Sequence, residues 1–232
     1  IMQFSDGYTE STRSDIRSMF ISHLHHTEDI DKWVTNIMLK KGIYIRPPSI
    51  PTPKEAYFVE QRNPFTGFYN RKRPLSVLEI SQLFHNSQSN ALGKALLQGF
   101  SQVAESTDVR KMIVKGIEIS SKAYKAFSET LMECDLPALR SYDAEVFDSS
   151  ISPFSDRLML YHVTYLNAYG IGRYGMSLSQ SPRNDLATMY TRIMGEVGTY
   201  AHDCATLLIK NNWMEEPPLA PDRRALVKGK QT

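Results

Sequence analysis

Ser11–Phe20 reads STRSDIRSMF, and Ser181–Tyr190 reads SPRNDLATMY, 170 residues further on. At the same offset, with no gap, NIMLKKGIYIRPPSIP (36–51) faces TLLIKNNWMEEPPLAP (206–221). Ser11, Arg13, Asp15, Met19, Lys40, Pro47, Pro48 and Pro51 recur identically at 181, 183, 185, 189, 210, 217, 218 and 221. Ile16/Leu186, Phe20/Tyr190, Ile37/Leu207, Met38/Leu208 and Leu39/Ile209 are like-for-like exchanges. One such match could arise by chance. Two in one register, each keeping its apolar positions, indicate duplication of a long unit. On this reading the sequence opens inside a truncated first unit. Its absent part is roughly 130 residues, and residues 1–7 correspond to the end of the segment before the last helix.

The second unit reads as four long helices. Ser76-Val77-Leu78-Glu79 has the S-x-x-E capping-box pattern, and Pro74 stands just before it. Ile80, Leu83, Phe84, Ala91, Ala95, Leu96 and Phe100 then follow at helical spacing. After a break at Thr107-Asp108, Val109, Met112, Ile113, Gly116, Ile117, Ser120, Ala123, Phe127 and Leu131 form one stripe. Lys111, Lys115, Glu118, Lys122 and Lys125 take the other face. Periodicity vanishes from Cys134 to Pro153. A third helix restarts at Ser155-Asp156 through Leu158, Met159, Tyr161, His162, Tyr165, Leu166, Tyr169 and Ile171. Ser181-Pro182 opens the fourth, with Pro in the first turn. Its stripe is Leu186, Met189, Tyr190, Ile193, Val197, Tyr200, Cys204, Leu207 and Leu208, and it ends near Asn211-Asn212.

Helices of this length run about 40 Å at 1.5 Å per residue. An extended 20-residue connection reaches about 65 Å, so it can return along the bundle. The second and third helices are then parallel and the other neighbours antiparallel, which is the ferritin-like arrangement with one long crossover.

Composition excludes several classes. The net charge is +2, too small for a nucleic-acid footprint. The basic run Arg71-Lys72-Arg73 reads as a solvated loop. The two cysteines, Cys134 and Cys204, form no C-x-x-C and read as inert thiols. No run of 18 apolar residues exists, so membrane insertion is not expected, and no signal peptide is visible.

Candidate chemistry is sparse. GIGRYG (170–175) matches G-x-G-x-x-G, yet that fingerprint needs a strand before it and a helix after it. Here helical spacing precedes it, and the duplicate places Met2 at the position of Gly172. Close helix packing is therefore expected of these glycines, not a nucleotide. The di-iron pattern Glu-x-x-His is absent. His23, His25, His26, Glu28 and Asp29 form the densest metal-like cluster, but the second unit holds no equivalent histidines. A polar belt runs from His85, Asn86, Ser87, Gln88, Ser89 and Asn90 to His162 and Asn167. It reads as a hydrogen-bond network fixing helix register. No G-x-S-x-G elbow occurs. No catalytic, cofactor-binding or metal-ligating residue is assigned.

RPLSVLEISQLFHNSQSNALGKALLQGFSQVAES, ISPFSDRLMLYHVT, GIGRYG and the GIYIRPPSIPTP stretch resemble a family of unknown function from spore-forming bacilli. Its members are spore-coat-like proteins with two tandem ferritin-like bundles. The resemblance implies the fold and a spore association, and no catalytic residues.

The expectation is an all-α chain. Residues 1–46 are the C-terminal remnant, the last helix, of a first ferritin-like unit. Residues 47–75 are a Pro- and aromatic-rich linker pinned to the bundle surface, 76–213 a complete four-helix bundle, and 214–232 an extended tail. The expected function is a non-enzymatic structural or interaction protein, cytoplasmic or spore-associated. Its partners would be protein, either further copies of the chain or the missing N-terminal unit. No cofactor is expected. One alternative is a ferritin-like metal oxidase or metal store, which needs His85, His162 or His23 to converge with a carboxylate. Another is a small-molecule bundle that uses the polar belt.

Overall fold

The computed structural model describes residues 1–55, 58, 73–227 and 229. Among them every regular element is helical and none is a strand. They divide into two compact units, Ile1–Arg46 and Pro47–Thr232. Most of the expected linker lies outside the described residues.

The first unit is a helical hairpin of α1 (Met2–Glu10) and α2 (Ser14–Lys40). Arg17 ties the turn, donating to the carbonyls of Tyr8 and Ser11, both at 2.9 Å. The second unit contains α3 (Val77–Val103), α4 (Thr107–Met132), α5 (Asp156–Ser179), α6 (Asn184–Lys210) and the short α7 (Arg223–Val227). The α3 start has its capping box: Ser76 Oγ accepts from the Glu79 N–H, and Glu79 accepts from the Ser76 N–H. At α4 and α5 the Ser106 and Ser155 hydroxyls cap the helix, accepting from the Val109 and Leu158 N–H groups. The Asp156 carboxylate also accepts from the Glu105 and Ser106 N–H groups, at 3.0 and 2.7 Å, so it fastens the start of α5 to the start of α4.

α2, α4 and α6 end alike. One residue past the C-cap of α2 and α6, and two past that of α4, Gly42, Asn212 and Asp135 have φ of 67°, 54° and 56°. The next N–H reaches back to Met38, Leu208 or Leu131 at 2.9–3.1 Å. This is the left-handed termination that favours Gly and Asn, because most side chains clash there.

Helix directions follow from the cross-links. Asn86–Ser177 and Asn90–Tyr174 run α3 antiparallel to α5. Lys115–Asp203 and Lys122–Glu196 run α4 antiparallel to α6. The connection after α4 returns beside α3. Leu139 is buried on the way, its carbonyl accepting from the Tyr124 hydroxyl, and Asp143 pairs with Lys94 at 2.6 Å. Each apolar side chain fully buried here contributes about 1.5–3 kcal/mol.

Three local expectations change. α6 begins at Asn184, with Arg183 as its N-cap. Pro182 therefore precedes the helix and does not lie in its first turn. On α5 the buried face is Met159, Leu160, Val163, Asn167, Tyr174 and Ser177, while Leu158 and Tyr165 are exposed. Apolar and aromatic residues surround α5, and polar Asn167 and Ser177 sit on its core side, so its pattern misleads. On α3 the fully buried position is Leu97; Leu96 is half-buried.

Candidate functional site

The α3–α5 seam carries a run of buried polar contacts. Gln82 Nε2 donates to Gln180 at 2.6 Å. Asn86 Nδ2 donates to Ser177 Oγ at 2.7 Å. Asn90 and the Tyr174 hydroxyl exchange two bonds, at 2.8 and 3.0 Å. Ser87 meets Ser128 of α4 at 2.9 Å. Buried polar groups are costly unless paired, and these pairs exist in one register only. Burial pushes the Tyr174 phenol up to about 12, against the weaker pull of its Asn90 bond, so it stays a neutral donor.

At one end of the seam sits a buried ionic node. Glu79 is 0% exposed. It accepts from Arg73 through both oxygens at 2.8 Å, from the Ser76 N–H at 2.8 Å and from the Arg183 N–H at 3.3 Å. Arg183, also 0% exposed, clasps Asp185 at 3.0 and 2.6 Å and donates to the Arg73 carbonyl at 3.1 Å. Burial raises the Glu79 pKa, but the Arg73 bonds and the Ser76 N–H outweigh it and hold the carboxyl below its ordinary range. Arg73 is thus an ion-pairing residue, where a solvated loop was expected. The node is saturated and has no free group for catalysis.

The histidines do not converge. His85 lies 3.4 Å from the Tyr169 hydroxyl; burial, then the charge of Arg173, lowers its pKa. His162 is exposed and meets Phe100 edge-on at 5.9 Å. His23 is exposed and stacks on Phe4 at 5.5 Å. Cys204 is buried beside Asn167, and burial pushes its thiol up to about 11, so it is unreactive.

The glycines of GIGRYG all lie inside α5. They do not make the close helix contact expected of them. A Cβ on Gly172 would meet nothing within 4 Å, and one on Gly175 would only touch Met194 at 4.0 Å. The close approach is at Gly116 of α4, where a Cβ would fall 2.3 Å from the Tyr200 hydroxyl. Gly170 instead lines a cavity of about 380 Å³ that reaches all four helices of the unit, α3 to α6. Sequence reading missed this cavity. Gly93, facing Gly170 across the seam, was the available signal.

The sequence profile described as "Protein of unknown function (DUF3231)" matches residues 64–226, well over half of the chain. The chain belongs to this family. A crystal structure of a "putative spore coat protein" from Bacillus halodurans C-125 is similar in fold. The TM-score is 0.57 at 18% identity, covering 65% of this chain and 98% of that one. No curated protein matches the chain. In this DUF3231 chain, no group of three or more His, Cys, Asp or Glu that could hold a metal occurs among the described residues. The α6 positions facing the core are Ile193, Val197 and Tyr200, and the Glu79 carboxylate is already taken by arginine. The donor set does not fit a di-metal centre, which argues against the metal-oxidase alternative. No helix among the described residues is long and apolar enough to cross a membrane.

Proposed function

We propose that this chain is a non-enzymatic, self-associating scaffold protein of the spore or the sporulating cell. In this reading residues 76–213 are a ferritin-like four-helix bundle with one long crossover. Residues 1–46 are the closing helices of a duplicated unit, 47–75 a linker and 214–232 a tail. The duplication is supported by α2 and α6, which begin and end 170 residues apart at both ends, with the same Arg–Asp clasp and the same left-handed ending.

The observation that carries self-association is the face of α2. None of its residues is buried within its own unit. Ile30 and Val34 are 48% and 40% exposed where α6 has Tyr200 and Cys204 at 2% and 0%. A contiguous apolar helix face of this kind marks an interaction surface. The repeat defines what fits it: a helical hairpin like α3–α4, supplied by another unit of the same fold. The family match and the fold likeness to a spore coat protein support the setting.

The test is the mass of the full chain by sedimentation equilibrium, native and with Ile30→Asp and Val34→Asp together. The proposal expects a reversible dimer or larger assembly that the double variant dissociates, with helix content retained. A native chain that stays monomeric at high concentration refutes self-association.

A further inference from the structure

The cavity between α3 and α5 is built unevenly. Below Asn90 and Tyr174, Gly93 and Gly170 line the cavity and supply no side chains to fill it. A Cβ placed on Gly93 would meet nothing within 4 Å. Leu96, Leu97 and Leu166 give apolar walls, and Val197 and Tyr200 of α6 close the far side. A second hollow of about 510 Å³ lies beneath the crossover and shares Leu92 and Leu96 with the first. Its walls are also apolar, and Phe147 and Ile151 there are 87% and 83% exposed. Hollows of these sizes are in the range that encloses a small ligand.

The other end of the first cavity carries a charge. Arg173 lines it and is half-buried. Its Nη2 reaches Gln82 Oε1 only at 3.4 Å, and its Nη1 lies 3.4 Å from Met176 Sδ. Its Nε is buried with no hydrogen-bond partner. Among the described residues no carboxylate lies within ion-pair distance of it. The other arginine buried in this unit, Arg183, is clasped by Asp185. A half-buried guanidinium whose Nε has no partner and which has no anion beside it is under-satisfied, and a planar carboxylate is the partner its fork matches.

We propose that this cavity binds a medium-chain carboxylic acid, with its carboxylate on Arg173. The tail lies between Gly93 and Gly170 and runs past Leu96 toward the crossover. From Arg173 back to His162 along α5 is about 16 Å at 1.5 Å per residue, a length suited to dodecanoate. Ser89, Ser120, His162 and Tyr169 also line the cavity, but Asn90 and Tyr174 satisfy each other and most of the wall surface is apolar, which suits an alkyl tail better than a sugar or nucleotide.

The test titrates the full chain with dodecanoate, labelled with ¹³C at the carboxyl, and separately with dodecanol by calorimetry. Expected is saturable binding of one dodecanoate per chain with a shifted carboxyl resonance. Arg173→Gln should weaken dodecanoate by at least about tenfold while changing dodecanol less than about twofold. Gly93→Leu should abolish both, because its side chain occupies the cavity. It replaces glycine by a better helix former at an open position, so it should fold at least as well as the native chain. Failure of the native chain to bind dodecanoate saturably overturns the proposal. So does binding that survives Gly93→Leu in a protein of native helicity, or an Arg173→Gln variant that binds dodecanoate as before.

Discussion

α2 and α6 have related sequences and equal lengths, yet different surroundings. In both, an arginine at the N-cap clasps an aspartate two residues on, through Nε at 3.1 or 3.0 Å and through Nη2 at 2.6 Å. On α6 the pair is buried, with side chains 0% and 19% exposed; on α2 the same pair is 74% and 62% exposed. The clasp is therefore a local property of the R-x-D sequence. What the fold adds is Glu79 and the Arg73 carbonyl, which complete the node only around α6. The same separation holds down the helix. Phe20 and Tyr190 are like-for-like, but Tyr190 is 0% exposed and Phe20 is half-buried.

The sharpest way to break this comparison is at the clasp. Arg183→Met would leave Asp185 largely buried without its partner and remove the donor to the Arg73 carbonyl. A loss of about 3–5 kcal/mol is expected, read by urea denaturation. Arg13→Met should leave the urea midpoint unmoved in dilute protein. If another unit covers α2, the native chain gains stability as concentration rises and the Arg13→Met variant gains less, because association stabilises by mass action.

This contrast explains which parts of the structure sequence reading could reach. Helix α6 was legible almost residue by residue, since its buried stripe is apolar and its outer face polar. The α3 capping box and the end of α6 near Asn211-Asn212 were legible for a related reason: helix caps and terminations are specified by neighbouring residues. α5 was not. It carries aromatic and aliphatic residues on every side, and its core face includes Asn167 and Ser177. The buried ionic node was hidden as well. Arg73 and Arg183 look like surface residues until Glu79, distant from Arg183 in sequence, is brought beside them. The cavity is lined by Gly93 and Gly170, and each glycine alone is a weak signal until antiparallel packing brings the two to one seam.

A smaller effect separates two kinds of glycine. Gly116→Ala would press its Cβ to 2.3 Å from the Tyr200 hydroxyl and 3.0 Å from Leu97 Cδ1. That hydroxyl donates to the Met112 carbonyl and the ring is buried, so it cannot simply swing away. A cost of about 1–3 kcal/mol is expected, measured by thermal unfolding. Gly198→Ala, at a helical site with nothing within 4 Å, should instead stabilise by about 0.5–1 kcal/mol.

The pH dependence of the second unit tests its saturated node. Glu79 has a pKa lowered from 4.5 in the folded chain, so unfolded chains bind its proton more readily. Its contribution is therefore fully present above about pH 4.5 and is lost as pH falls through the lower folded value. Native protein should lose stability on acidification through this window, and Glu79→Gln should flatten that part of the profile while lowering stability at pH 7. A variant that titrates as steeply as the native chain would remove Glu79 from the account.

The weakest expected effect lies on the rims of the two helices. Glu196 pairs with Lys122 at 3.1 Å, with side chains 31% and 63% exposed, so Glu196→Ala should cost at most about 1 kcal/mol, less in high salt. The equivalent of Glu196 on α2 is exposed His26, and Trp33, 66% exposed, stands where α6 has Asp203 paired to Lys115. The rim that meets lysines on α6 thus presents an indole on α2, and that indole reports on what covers it. With Trp213→Phe removing the chain's other tryptophan, acrylamide quenching should be strong in dilute protein and fall as concentration rises, in step with the sedimentation mass. Quenching that stays constant while the mass increases would place self-association on another surface and leave α2 uncovered, which would break the link between this helix face and assembly.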